Sequence, residues 1–185
     1  LIAATTRVGL ISSPLRSRFS GGVFRLEFYT EKEIERILLR SAKILGVSLE
    51  TEAAEHIARR SRYTPRTANY LLKRIRDYAQ VHKKKLDSGS VTNALALLGI
   101  DAKGLSASDR AILATLMEKF AGGPVGLNTL SASLSEEEET LEEFNEPYLL
   151  QIGFLERTPR GRVLTALGYE HMGQKAPKNL QEKLL

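Results

Sequence analysis

Cysteine is absent from the 185 residues. Without thiols the chain can form neither a disulfide nor a thiolate metal site, which suits a reducing cytoplasm. No apolar run approaches the length of a membrane span and no signal-peptide pattern opens the sequence, so no membrane association is expected. None of the 14 glycines is followed by lysine. That excludes the phosphate-cradling loop G-x-x-x-x-G-K-S/T. No acidic pair ends an apolar strand either, so the usual magnesium-holding element is missing. The three histidines, His56, His82 and His171, are far apart and are expected on helix surfaces rather than in a metal site.

What is present fits one or two globular domains: 42% hydrophobic and 26% charged residues, with a net charge of +5 and a pI near 9.5. That balance permits an anionic partner such as nucleic acid without requiring one. Residues 1–28 read as the end of an α/β core, with a strand terminus at Leu1–Ala4 and an alternating strand over Val23–Phe28. Between them, Thr5-Thr6-Arg7 is followed by Ser13-Pro14-Leu15-Arg16-Ser17-Arg18. A small polar pair at a strand end followed by arginines behind a proline suits a γ-phosphate sensor and an arginine acting across a subunit boundary. A strand, a loop and solvated arginines explain the same spacing. Because the chain opens on Leu1 with the trigger half of a nucleotide machine and no holding half, it is read as the C-terminal portion of a longer ATPase.

Helical periodicity takes over at residue 30. Thr30 with Glu33 makes a capping box, Thr51 is placed as the cap of a second helix, Thr64-Pro65 opens a third and Ser90 caps a fourth that stops at Gly99. These four helices form one module. Asp101–Leu105 links it to a second, in which Ser106 with Asp109 caps a helix, Gly122–Gly126 turns, Leu127–Leu134 is a short helix, and Ser135 with Glu138 opens a third helix through Leu141, Phe144 and Tyr148. Strands over Phe154–Arg157 and Arg162–Thr165 follow, joined at Thr158–Gly161. Three helices and a β-hairpin is the order of a winged helix. The predicted fold is therefore mostly α: the end of an α/β core (1–28), a four-helix module (29–102), a winged helix (103–174) and a loose polar tail (175–185).

The hairpin carries Arg157, Arg160 and Arg162 on a projecting turn, a thin basic ribbon suited to phosphate contact. A solvated hairpin is the competing explanation. The preceding helix carries seven glutamates and no lysine or arginine from Ser135 to Gln151, so phosphates would repel it. DNA contact would then fall to the wing alone and be largely sequence-independent. Arg66, in the first turn of its helix, can reach back to a nucleotide held by a preceding core or simply face water. Arg59, Arg60 and Arg62 are placed on the surface, and Tyr29 at the junction can stack on a base or pack between domains.

Thr5-Thr6-Arg7, Ser13–Phe19, Leu26-Glu27-Phe28-Tyr29, Thr64-Pro65-Arg66, Gly122–Leu127, Glu146-Pro147-Tyr148-Leu149 and Gly153–Arg162 stand in an order that resembles the RuvB family of AAA+ ATPases, the bacterial Holliday-junction branch-migration motors. The resemblance implies that residues 29–102 are the AAA+ lid. It implies Thr6 as the first sensor, Arg18 as the arginine finger with Arg16 as the less favoured choice, Tyr29 and Arg66 as nucleotide contacts, and Arg157 and Arg162, with Arg160 beside them, as DNA contacts of the wing. ATP and Mg2+ as cofactors of the longer protein, a homohexameric ring, Holliday-junction DNA, RuvA and RuvC as partners are implied in the same way. Two departures from the family pattern are Tyr63, where glycine precedes Thr-Pro-Arg, and the run Phe19–Val23. Two other readings stay open: a standalone winged-helix DNA-binding protein with a helical dimerisation module, and an interaction module whose acidic helix docks on a basic partner.

Overall fold

A computed structural model describes residues 2–5 and 7–177. The helical module is built as the periodicity predicts. Helix α1 is a single turn at Ser13–Arg16, and α2 (Glu31–Ile44), α3 (Thr51–Ala58), α4 (Pro65–Val81) and α5 (Ser88–Leu97) pack around one core. Its centre is Ile34, Leu38, Ile57, Leu71, Leu72 and Ile75, all without exposed surface. The Thr30–Glu33 capping box is complete, and the hydrogen bond from the Thr30 N–H holds the Glu33 carboxyl below its ordinary pKa. Two predicted caps differ. Helix α5 starts at Ser88 and is capped by Asp87, whose carboxylate accepts the Ser90 N–H at 2.8 Å. Glu50, not Thr51, is the N-cap of α3, without a side-chain bond.

A second core gathers Leu105, Ile112, Leu113, Leu116, Leu130, Leu141 and Leu149. It is formed by α6 (Ala107–Phe120), α7 (Leu127–Leu134), and a continuous helical stretch made of α8 (Glu138–Thr140), a wider π turn (Leu141–Asn145) and α9 (Glu146–Gln151). Strands β1 (Leu155–Thr158) and β2 (Gly161–Leu164) form an antiparallel hairpin, and α10 (Ala166–His171) closes the unit. Val125 adds a backbone pair to Arg162 beside β2, with bonds of 3.0 and 2.8 Å. Glycine is required at this junction. A Cβ on Gly123 (φ +93) would meet the Arg162 carbonyl at 2.4 Å, and one on Gly161 (φ +133) the Val125 carbonyl at 2.3 Å. The Ser135–Glu138 capping box does not form. Ser135 is itself the left-handed end of α7 (φ 56), and Glu138 instead accepts the Asn128 side-chain amide at 3.0 Å.

Neither strand expected in residues 1–28 is present among the described residues. Val23, Phe24, Leu26 and Phe28 are exposed, and a ladder needs a neighbouring strand that the described residues do not supply. Part of the C-terminal tail is less loose than its polarity suggested: Ala176 packs against the second core. Residues 178–185 lie outside the described residues.

The two cores meet at a polar joint. Arg62, expected on the surface, has a side chain only 15% exposed and is bonded to the wholly buried Asp109. Its Nε also donates to the Gly104 carbonyl at 3.3 Å, and its guanidinium lies 5.0 Å from the centre of the Tyr148 ring. Asp109 does more than cap α6: it accepts the Ser106 N–H (2.7 Å) and hydroxyl (2.6 Å), and the Asn145 side-chain amide (2.8 Å). Arg62 and Tyr63 both have left-handed backbone, φ 54 and 55. Tyr63 thus holds a backbone conformation that glycine favours. What the tyrosine gains there is contact with the second core, its ring 6.4 Å from that of Tyr148. His171 is partly buried rather than fully on the surface, with Nε2 2.8 Å from Asp101 and its ring against Phe154.

Tyr148 at this joint donates its hydroxyl to the Lys103 carbonyl at 2.6 Å, and burial pushes its pKa up to about 12 from the ordinary 10. The fold favours the neutral phenol. The resulting stabilisation is fully present below pH 10 and is lost as pH rises towards 12. Burial also raises the pKa of Tyr169. An ultraviolet phenolate titration should therefore show late steps, with one near pH 12, and Tyr148→Phe should remove the step near pH 12. A step near pH 12 that survives the substitution would contradict the assignment.

Candidate nucleic-acid interface

The wing is held by a carboxylate. In the hairpin register Arg157 stands directly opposite Arg162, so both side chains leave the same face of the ribbon. That face covers the start of α9, where Glu146 is buried, its side chain 1% exposed. Glu146 Oε1 accepts Arg162 Nε at 2.5 Å, and Oε2 accepts Arg162 Nη2 at 3.3 Å together with Arg157 Nη2. A planar guanidinium fork on both carboxylate oxygens is the arrangement arginine makes best.

The wing arginines expected on a projecting turn differ in exposure. The Arg162 side chain is 12% exposed and the Arg157 side chain 46%. Arg157 also lies 3.5 Å from Glu142 at the rim. Arg160 sits on the two-residue turn between the strands and is exposed. Glu146 was one of seven glutamates read as a repelling surface. It is instead internal, whereas Glu136–Glu139, Glu142 and Glu143 are exposed as expected. No periodicity separates it from its neighbours, because the π turn shifts the helical register just before it.

The predicted nucleotide-facing residues lie at the other end. Thr6 falls outside the described residues. Arg16 ends α1, with its guanidinium 3.5 Å from the Ser13 hydroxyl, and Arg18 follows it, exposed. Tyr29 donates its backbone N–H to the Tyr63 carbonyl (3.2 Å), three residues before Arg66 in the exposed first turn of α4. The structure therefore brings the Tyr29 and Arg66 segments together but not Arg18 with them. Among the described residues no group of three or more acidic, histidine or cysteine side chains is placed to hold a metal ion. The phosphate-cradling loop is not in this sequence. No helix among the described residues is long and apolar enough to cross a membrane.

Comparison with known proteins agrees with this anatomy. Residues 29–101 match the model of the RuvB AAA lid domain, and residues 102–173 that of the RuvB C-terminal winged helix domain. The chain is 55% identical over 179 residues to the Holliday junction branch migration complex subunit RuvB of Koribacter versatilis, covering 96% of this chain and 49% of the relative. For the protein of the same name from Ligilactobacillus salivarius the identity is 52%, over 96% of this chain and 53% of the relative. The chain thus spans about half the length of these relatives. Among solved structures, the Thermotoga maritima RuvB Holliday junction branch migration motor superposes with a TM-score of 0.85 at 51% identity, over 91% of this chain and 57% of that one. With both of its cores matched and half of its residues identical to proteins so named, the chain belongs to the RuvB family, over that family's AAA lid and C-terminal winged helix domains.

Proposed function

We propose that this chain is the C-terminal part of an ATP-dependent DNA motor that drives branch migration of Holliday junctions in recombination and repair. In this reading residues 1–28 end the AAA+ core, 29–102 are the lid, 103–174 the winged helix and 175–185 the tail. The motor would work in the bacterial cytoplasm as a homohexameric ring, with RuvA as the junction-recognising partner and RuvC as the resolvase. The observation that carries the proposal is the basic wing braced beside a helical stretch whose exposed charged side chains are all acidic. Phosphates are attracted to the hairpin and repelled from the helix that in many winged helices reads bases, as suits a motor that must move along any sequence.

The nucleotide end takes its roles from the same reading. ATP with Mg2+, held mainly by elements outside this sequence, supplies the free energy of hydrolysis. Arg66 and Tyr29 contact the nucleotide from the lid side, and Thr6 senses the γ-phosphate. Arg18, with Arg16 as the alternative, reaches the neighbouring subunit's nucleotide and offsets the charge that develops on the transferring phosphoryl group. The exposure of Arg18 supports a role across a subunit boundary. A standalone DNA-binding protein is less well supported, because residues 1–28 leave Phe24 and Leu26 83% and 90% exposed, a surface suited to a partner core.

Two measurements test the reading. In this chain Arg157→Ala with Arg160→Ala should weaken duplex binding equally for unrelated sequences and lower the slope of log affinity against log salt by about 0.9 for each lost contact. An unchanged slope would remove the wing from the DNA interface. In the longer protein Arg18→Ala should leave ATP binding largely intact and slow hydrolysis by about a thousandfold or more. Activity should return in part on mixing with subunits that cannot bind ATP but keep their own arginine. Failure at every mixing ratio would exclude action in trans.

A further inference from the structure

The segments that carry Tyr29 and Arg66 join at one loop, and that loop is gripped from the winged helix. Residues 59–64 connect α3 to α4. On one side the Tyr63 carbonyl accepts the Tyr29 N–H at 3.2 Å, and Thr64 caps the helix whose second residue is Arg66. On the other side lie contacts from the second core and the linker before it. Arg62 is paired with the buried Asp109 and donates to the Gly104 carbonyl, and the Tyr63 ring packs beside Tyr148. The linker presses on the same loop: a Cβ on Gly104 would meet the Arg60 carbonyl at 2.7 Å. Two successive non-glycine residues with φ 54 and 55 are costly, and such backbone lasts only where its surroundings over-determine it. Here much of that constraint comes from the second core. Freed of Asp109, residues 62 and 63 would relax to negative φ, and the Tyr63 carbonyl would turn away from the Tyr29 N–H.

Resting on the reading of Tyr29 and Arg66 as nucleotide contacts, we propose that Asp109 and Arg62 are positioning residues of the nucleotide site. Asp109 belongs to the winged helix, and its side-chain partners are Arg62, Ser106 and Asn145, none of them nucleotide-facing in this reading. It acts through Arg62. The ion pair fixes the two left-handed residues, these fix the Tyr63 carbonyl and the start of α4, and those in turn set Tyr29 and Arg66. The winged helix is thereby one of the parts that shape the nucleotide site, with one short loop as the link. By linkage, a nucleotide held at Tyr29 and Arg66 favours the seated winged helix in return.

Two readouts test this. In this chain, Asp109→Asn keeps an acceptor for Ser106 but offers no charge to Arg62. Amide hydrogen exchange at Tyr29 should then speed up, while amides inside α4 stay as protected as in the wild type. In the longer protein, a non-hydrolysable ATP analogue with Mg2+ should bind about two- to thirtyfold more weakly to Asp109→Asn, the scale for residues that modulate a site without touching its ligand. Arg62→Met should weaken it similarly, and Arg62→Lys, which keeps the ion pair, should recover part of the loss. Arg66→Ala should also weaken binding, and Asp109→Asn added to it should cost less than it does alone. Unchanged exchange at Tyr29, unchanged affinity of Asp109→Asn, or full additivity with Arg66→Ala overturns the positioning role and leaves the nucleotide reading intact. A purely structural role would instead expose the α4 amides and lower the number of binding sites at unchanged affinity, and that outcome also overturns the proposal. Undiminished binding by both Arg66→Ala and Tyr29→Ala overturns the nucleotide reading and the inference with it.

Discussion

The Asp109 carboxylate has no exposed surface, and the placement of the two cores depends on how it is satisfied. A buried charge is tolerated only with close partners, so the groups that reach it are constrained in turn. Ser106 reaches it from the start of α6, Asn145 from the π turn and Arg62 from the loop between α3 and α4. The next residue after Asn145 is Glu146, which reaches the opposite way, to Arg157 and Arg162. Successive residues on a helix point about 100° apart, so one short stretch can serve two networks. Two polar networks, one to the lid and one to the wing, thus meet at the adjacent buried residues Asn145 and Glu146.

That arrangement separates charge by sign. Exposed glutamates occupy the outside of α8 and the π turn, while the positive side chains gather on the hairpin, with the partly buried ones tied to Glu146. A polyanion approaching this unit meets attraction along one edge and repulsion across the neighbouring helix. The approach is thereby narrowed without any base-reading contact. The exposed glutamates narrow the approach, and the buried Glu146 holds the Arg162 guanidinium fork in place behind it.

Much of this was legible in the sequence, for local reasons. Thr30 with Glu33 and Ser106 with Asp109 are complete capping boxes because both partners lie within four residues. Pro65 opens α4, and the hairpin turns around Pro159 and Arg160. What was missed depended on distant contacts. Arg62 read as a surface charge because its partner Asp109 is 47 residues away. Glu146 looked like its six acidic neighbours because the π turn moves it off the expected stripe. The Val23–Phe28 alternation forms no strand, because no neighbouring strand among the described residues pairs with it. Ser135 has the chemistry of a cap but already serves as the left-handed end of α7. Membership of a family added roles that neither spacing nor packing would assign, those of Arg18 and Arg66 above all.

The claim most open to direct attack is that a buried charge joins the two cores. Arg62→Ala leaves Asp109 buried with hydrogen bonds but no cation. Chemical denaturation followed by circular dichroism should show a loss of about 3 kcal/mol, the scale for removing one partner of a buried pair. The first- and second-core transitions should also separate. A loss under about 0.5 kcal/mol, the scale of an exposed ion pair, with a single unchanged transition would contradict the account.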